Sequence, residues 1–366
     1  MILARNEKGQ YCFRHIYIYN IYKEIRMSEV FFKEIKSDAS QEFSNSAKFL
    51  FIKLITEKKI ILEKNIPLKV HFGERGNETF IPPLFYQGII DYLHEQKITT
   101  SFIETNVLYR GSRTTQSNHL QVAKEHGFTQ IPIIIADGER GEKYHEITIN
   151  QKHFTQCKIG AEYQKYQQII VCSHFKGHMA AGFGGALKML AMGFAARGGK
   201  LDMHSKYKPT INENKCLSCG ICINKCDVEA ISLQPKAVID HSRCIGCAGC
   251  IAVCPQGAVN HDWGGDHFLE KMTEYAYAAT LNKQFLYLNF LANIVKDCDC
   301  MGHKMDLLTN NIGIVASLDP VALDIASLDL FQKQTKSKQF DVARKSLEYA
   351  EKLGMGSVKY NLVKVN

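Results

Sequence analysis

Eight cysteines compressed between residues 216 and 254 constrain this chain more than any other feature. CLSCGICINKC and CIGCAGCIAVCP repeat the pattern CxxCxxCxxxC, the second copy starting 28 residues after the first. Two-residue gaps let a tight loop aim three soft thiolates at one compact centre, while the fourth cysteine of each copy reaches across to the other centre. The spacing therefore assigns Cys216, Cys219, Cys222 and Cys254 to one 4Fe-4S cluster and Cys244, Cys247, Cys250 and Cys226 to a second. Structural zinc would instead use paired CxxC units separated by a longer spacer.

From Lys215 to Asn260 the segment resembles the two-cluster bacterial ferredoxins in both halves and in the flanking apolar runs. It departs from them in one place. Pro255 follows Cys254, whereas Asp227 follows Cys226, and a carboxylate beside Cys226 would lower the potential of the cluster that this cysteine serves.

A chain of 366 residues leaves room for a large host domain around this small module. The formal charge of +8 does not imply a nucleic-acid partner. The first 26 residues supply +3 of it through five basic and two acidic side chains. Two oxidised cubanes would add about −4, leaving the remainder near +1. Thirteen cysteines with this spacing argue for a reducing compartment, hence a cytoplasmic location. No stretch reaches the run of apolar residues that a membrane span needs. Residues 1–26 read as a leader with no role in the fold, and Met27 as a more ordinary start.

Apolar runs alternate with helical patterns from about residue 67 onward. Strands are expected at Leu68–Phe72, Thr100–Glu104, Ile131–Ala136, Ile169–Cys172, Phe285–Leu291 and Ile312–Ser317, and helices at Leu84–Gln96, Gln116–His126, Val321–Phe331 and Val342–Leu353. Such alternation predicts an α/β fold, a mostly parallel sheet flanked by helices, with the two-cluster ferredoxin-like domain inserted. The expected division is 1–26 leader, 27–206 host, 207–260 two-cluster domain and 261–366 host.

In open α/β sheets ligands bind beyond the carboxyl ends of the strands. Glycines, histidines, arginines and carboxylates follow nearly every expected strand, including IGIVAS, which runs into Leu318-Asp319-Pro320. His174, Lys176, His178 and Lys188 surround a glycine-rich turn whose N–H groups suit an oxyanion. Arg113, with Thr105, Tyr109 and Thr114, suits a two-pronged grip on a carboxylate or phosphate. His204 stands just before the cysteine-rich segment. Cys298-Asp299-Cys300 is the sharpest feature outside it: a bond between cysteines two apart would be badly strained, which leaves an additional metal at Cys298/Cys300, a reactive thiol, or two inert buried cysteines. Cys12, Cys157 and Cys172 have no partner spacing and read as structural.

KVHFGERGN, LYRGSRTT, SHFKGHMAAGFGGALKMLAMG, Met203-His204, the split ferredoxin, CDC and SLDPVALD together look like the domain of unknown function family 362, in its iron-sulfur-protein branch. That resemblance implies architecture and cluster content but no reaction. HMAAGFGGALK is also similar to a stretch of the nickel-pincer lactate racemases, in which a lysine holds the cofactor and a histidine acts as acid/base. By that likeness Lys188 and His178 match them, with two residues between the glycine pair and the lysine where the racemases have one.

The resulting expectation is an oxidoreductase-type protein that passes electrons between its clusters and a host-domain site built from His178, His204, Lys188, Arg113, Cys298 and Cys300. It would take a small anionic substrate and an unidentified redox partner. Two alternatives remain: a plain electron carrier docking on a partner enzyme, and a racemase- or isomerase-like enzyme whose clusters are structural. Fold alone does not choose between them.

Overall fold

Long apolar runs such as Ile169–Cys172 have to bury both faces, and the computed structural model places them at the centre of an eight-stranded sheet. It describes residues 27–366 apart from 110, 206–207, 227, 245 and 262–265, so the expected leader and Cys12 lie outside the described residues. The strands are β1 Ser28–Glu34, β2 Leu68–Lys69, β3 Phe102–Glu104, β4 Ile133–Ile135, β5 Gln168–His174, β6 Gln284–Leu291, β7 Gly313–Ser317 and β8 Tyr360–Val365, in the order β8-β1-β7-β6-β5-β2-β3-β4. Five neighbouring pairs are parallel. Only β7 runs against both its neighbours.

Side-chain alternation builds two cores from one sheet. Ile170, Cys172, Leu286, Leu288, Phe290, Ile314 and Ala316 face one side, where helices α1 (Ser40–Glu57) and α2 (Gln87–Glu95) pack, with α3 (Gln116–Glu125) contributing Ala123. Ile169, Val171, Phe285, Tyr287, Leu291 and Val315 face the other, covered by α4 (Ala186–Phe194), α7 (Phe268–Thr280), α8 (Pro320–Thr335) and α9 (Arg344–Lys352). In α1 the residues Phe43, Ala47, Leu50, Phe51 and Leu54 recur every three or four positions and are fully buried. Pro320 opens α8, with Asp319 as its N-cap accepting from the Val321 and Ala322 N–H groups.

All six expected sheet strands form, though the regular ladder of LKVHF shrinks to Leu68–Lys69. The reversal of β7 corrects one expectation. Its carboxyl end, Ser317 to Asp319, lies at the opposite edge of the sheet from those of β2 to β6, where Asp319 accepts from Ser28 and Ser357.

The chain leaves the host after α5 (Arg197–His204) and enters the cysteine-rich segment beside the point where it returns. Thr210 pairs with Asn260 and Ile211 with Val259. Between them lie a hairpin, Ile231–Gln234 with Lys236–Ile239, and the short helix α6, Gly249–Val253. No helix among the described residues is long and apolar enough to cross a membrane.

Candidate functional site

At the carboxyl ends of β2, β3 and β5 the connecting loops enclose a cavity of about 960 Å³. All six residues expected from sequence reach its wall. Arg113 comes from the loop after β3, His178 from a hairpin after β5 (Lys176–His178 with Gly182–Gly184), Lys188 from α4, His204 from the end of α5, and Cys298 and Cys300 from the loop after β6. The glycine-rich turn is not an open anion site. The first N–H groups of α4, from Ala186 and Leu187, donate to the Asp324 carboxylate at 2.7 and 2.9 Å. A Cβ at Gly185 would stand only 2.4 Å from that carboxylate, so glycine lets it approach.

Charged residues that the sequence did not single out hold the wall in place. Lys69 and Glu104, on neighbouring strands, form a buried ion pair of 2.8 Å. Glu74 accepts from Tyr109 Oη at 3.0 Å, from the Ser112 N–H at 2.8 Å and from Arg113 Nε at 3.3 Å. Arg113 is fully buried, and its remaining nitrogens meet Tyr109 Oη at 2.5 Å and His71 Nε2 at 3.2 Å. Its guanidinium is thus built into the wall, and the free two-pronged grip expected for it is already committed to protein groups. Lys200 donates to Thr105 Oγ1, Asn106 O and Ala195 O, and burial lowers its ammonium to about 8.

Asp299, between the two cysteines, is the hub of the site. Its carboxylate meets His174 Nδ1 and Lys176 Nζ at 3.0 Å each, with His71 Nδ1 at 3.8 Å. Burial alone would raise its pKa, but His174 and Lys176 outweigh that and hold it well below the usual carboxylate range. His174 and His178 follow one another in extended chain, so they share no helix face.

Lys188, like Lys200, meets no carboxylate at ion-pair distance among the described residues. It donates to Cys298 Sγ at 3.8 Å, and burial together with the Lys176 ammonium pushes it down to about 7. Burial and Lys188 also keep His178 and His204 neutral, His204 being lowered to about 3. His178 Nδ1 accepts from the Ala180 and Ala181 N–H groups at 3.3 and 3.1 Å, which assigns the proton to Nε2. Both rings stack against Phe268, with centroids at 6.5 Å for His178 and 4.8 Å for His204.

A pH dependence follows. Lys188 is charged below about 7 and neutral above it, so an anion in the cavity gains attraction only on the acid side. Calorimetric titration with sulfate should show affinity falling about tenfold between pH 6 and 8. The Lys188→Met variant should bind weakly at both pH values. A flat profile in the parent would remove Lys188 as the anion contact.

Cys298 and Cys300 face each other as a disulfide across a Cα–Cα separation of 5.0 Å, within the range disulfides use. The backbone from Cys298 to Met301 turns back on itself, Met301 N–H donating to Cys298 O at 2.9 Å. Metal ligation by this pair would require its reduced form. Cys157 and Cys172 are buried, with their thiols pushed up by that burial, as suits packing residues.

In the cysteine-rich segment, Cys216, Cys219 and Cys222 of the first motif and Cys254 of the second line one small cavity with Ile211, Ala237 and Val259. The two halves repeat a detail: the Ala230 N–H donates to Cys226 Sγ and the Ala258 N–H to Cys254 Sγ, each at 3.1 Å. Four cysteine sulfurs from both motifs around one hollow could bind a metal cluster. The second motif rests on the host. A Cβ at Gly198 of α5 would lie 3.0 Å from Gly246 O and 3.4 Å from Cys247 Cα, while Leu108 and Leu201 pack with Ala248, Ile251 and Val259.

No curated protein matches the chain. Among solved structures it overlays on the lactate racemase apoprotein from Thermoanaerobacterium thermosaccharolyticum with a TM-score of 0.43 and 11% identity, covering 91% of this chain and 62% of that one. A Thermotoga maritima structural-genomics target gives 0.41 and 8%, covering 87% and 60%. The chain thus spans about three fifths of the length of each. The family described as Domain of unknown function (DUF362) matches residues 66–329, and the chain belongs to that family.

Proposed function

We propose that this chain is an iron-sulfur redox protein in which residues 207–260 form an inserted two-cluster module beside the host cavity. Cys216, Cys219, Cys222 and Cys254 would hold one 4Fe-4S cluster, and Cys244, Cys247, Cys250 and Cys226 the other. Such clusters, when bound, supply electrons one at a time. The observation that carries the reading is the seating of Gly246 and Cys247 on α5, the helix that also delivers Lys200 and His204 to the cavity.

Within the cavity, the Cys298–Cys300 disulfide is the electron acceptor of this reading. Two electrons and two protons convert it to the dithiol, and Lys188, 3.8 Å from Cys298, favours the thiolate of that cysteine. The cationic wall suits a small anionic substrate. Convergence of the six residues on one enclosure favours an enzyme over a plain carrier. A second reading, proton-transfer isomerisation with structural clusters, is favoured by the two neutral histidines stacked against Phe268.

Anaerobic reductive titration tests the proposal. The parent should hold about eight iron per chain and take up about four electrons, two at the clusters and two at the disulfide. The Cys298→Ser/Cys300→Ser variant should keep its iron and take up about two. Equal uptake in both proteins would exclude the disulfide as acceptor, and absence of iron after reconstitution would sink the cluster assignment.

A further inference from the structure

We propose that His153, His267 and Glu270 form a site for one divalent transition metal of the zinc class, separate from the cysteine motifs and from the cavity. Their ligand atoms lie within 4.8 Å of one another. Two come from the first turn of α7, where His267 precedes the helix and Glu270 follows three residues later on the same side. His153 comes from the loop joining the strands Tyr144–Thr148 and Gln156–Gly160.

The geometry is close to what a metal needs. His153 Nε2 stands 2.5 Å and His267 Nδ1 3.6 Å from Glu270 Oε2, and the two imidazoles lie 5.1 Å apart at 32°. A tetrahedral zinc with bonds of 2.0–2.2 Å separates its ligand atoms by about 3.3 Å, so only small side-chain rotations are required. His153 is nearly buried, Glu270 is 31% exposed and His267 59% exposed, which leaves an open side for water or another ligand. Two imidazoles and one carboxylate also suit zinc better than magnesium or calcium, which prefer oxygen.

The support behind the ligands is ordered. Glu274, fully buried one turn further along α7, accepts from the His153 N–H at 3.0 Å and the Phe154 N–H at 2.9 Å, and from Tyr349 Oη at 2.8 Å. This fixes the loop that carries His153 over the helix start. Lys152 Nζ lies 2.8 Å from the same Glu270 oxygen and competes with a metal for it. That competition gives the proposal a signature of its own.

Occupancy would reach the cavity through one residue. Phe268, next to His267, stacks on His204, so a metal that fixes the first turn of α7 also fixes the surface supporting that ring.

The test uses the full-length, cluster-loaded protein titrated with zinc chloride, with affinity from calorimetry and ligand type from zinc-edge X-ray absorption. One zinc per chain is expected, with a nitrogen/oxygen shell at 2.0–2.2 Å and no sulfur shell at 2.3 Å. His153→Ala/His267→Ala should weaken binding by at least about 100-fold with iron content unchanged. Lys152→Ala, which removes only the competitor, should tighten it several-fold. A sulfur shell, equal affinity in parent and double variant, or no binding by either the parent or Lys152→Ala would overturn the assignment.

Discussion

On the proposed cluster assignment, replacing Cys216 and Cys254 together by serine should leave about four of an expected eight irons, whereas replacing Cys216 and Cys226 together should leave almost none. The two double variants each remove two thiolates, so a difference between them reports sharing. Cys254 belongs by position to the second motif, yet it lines the hollow of Cys216, Cys219 and Cys222. If the two serve one cluster, the second loss adds nothing to the first, because that cluster is already gone. Cys216 and Cys226 stand in the same motif but, on the crossed assignment, serve different clusters, so losing both removes both. Iron and sulfide analysis on anaerobically reconstituted proteins reads the outcome, and EPR of the survivor in the Cys216→Ser/Cys254→Ser variant should show a single cluster signal. The reverse pattern would mean that each motif ligates its own cluster.

The second large effect is on stability. Asp299→Asn should lower the unfolding free energy by about 3–5 kcal/mol, measured by urea unfolding of the cluster-loaded protein at neutral pH. Asn preserves the size of the side chain but removes the negative charge that faces His174 and Lys176 at 3.0 Å, leaving Lys176 buried near Lys188 with no counter-charge. The carboxylate's pKa is depressed in the folded state, so its contribution is present above the ordinary carboxylate range and is lost as pH falls through the folded value. Acid should therefore narrow the gap between parent and variant. Adding Lys176→Met to Asp299→Asn should recover much of the loss, since removing both partners of a buried pair costs far less than stranding one. No recovery would mean that Asp299 stabilises chiefly through His174 and the loop around it.

How much of this was legible in the sequence depended on how local the controlling physics is. Ile169–Cys172 and Phe285–Leu291 stood out because strands buried on both faces are apolar at nearly every position, Asn289 being the exception here. The strand β1 and the edge strand β8 did not: β1 has three buried positions in a row and β8 none, and their short apolar runs resemble those of many loops. The direction of β7 was hidden because composition is blind to polarity, and Asp319 was consequently assigned to the wrong end of the sheet. That Cys216, Cys219, Cys222 and Cys254 line one hollow was legible through spacing alone. Around the cavity, His178, Lys188, His204, Arg113 and the CDC pair were found because they follow strands or stand in unusual local patterns. Lys69 and Glu104 were missed because they lie inside strands, 35 residues apart, where a charged residue is meaningful only once its partner is known. The role of Asp299 was hidden for the same reason, its histidine being 125 residues away.

The side-by-side strands through which the chain enters and leaves the cysteine-rich segment have a consequence for the rest of the protein. To the host, everything between Ile211 and Val259 is a link whose two ends already stand a single strand spacing apart, about 4.8 Å. Closure of that link is settled at its neck, so its interior length and contents place little entropic demand on the sheet or the cavity. Such a neck lets the outer part of the segment change in length while the part seated on α5, at Gly246 and Cys247, keeps its contact with the rest of the chain.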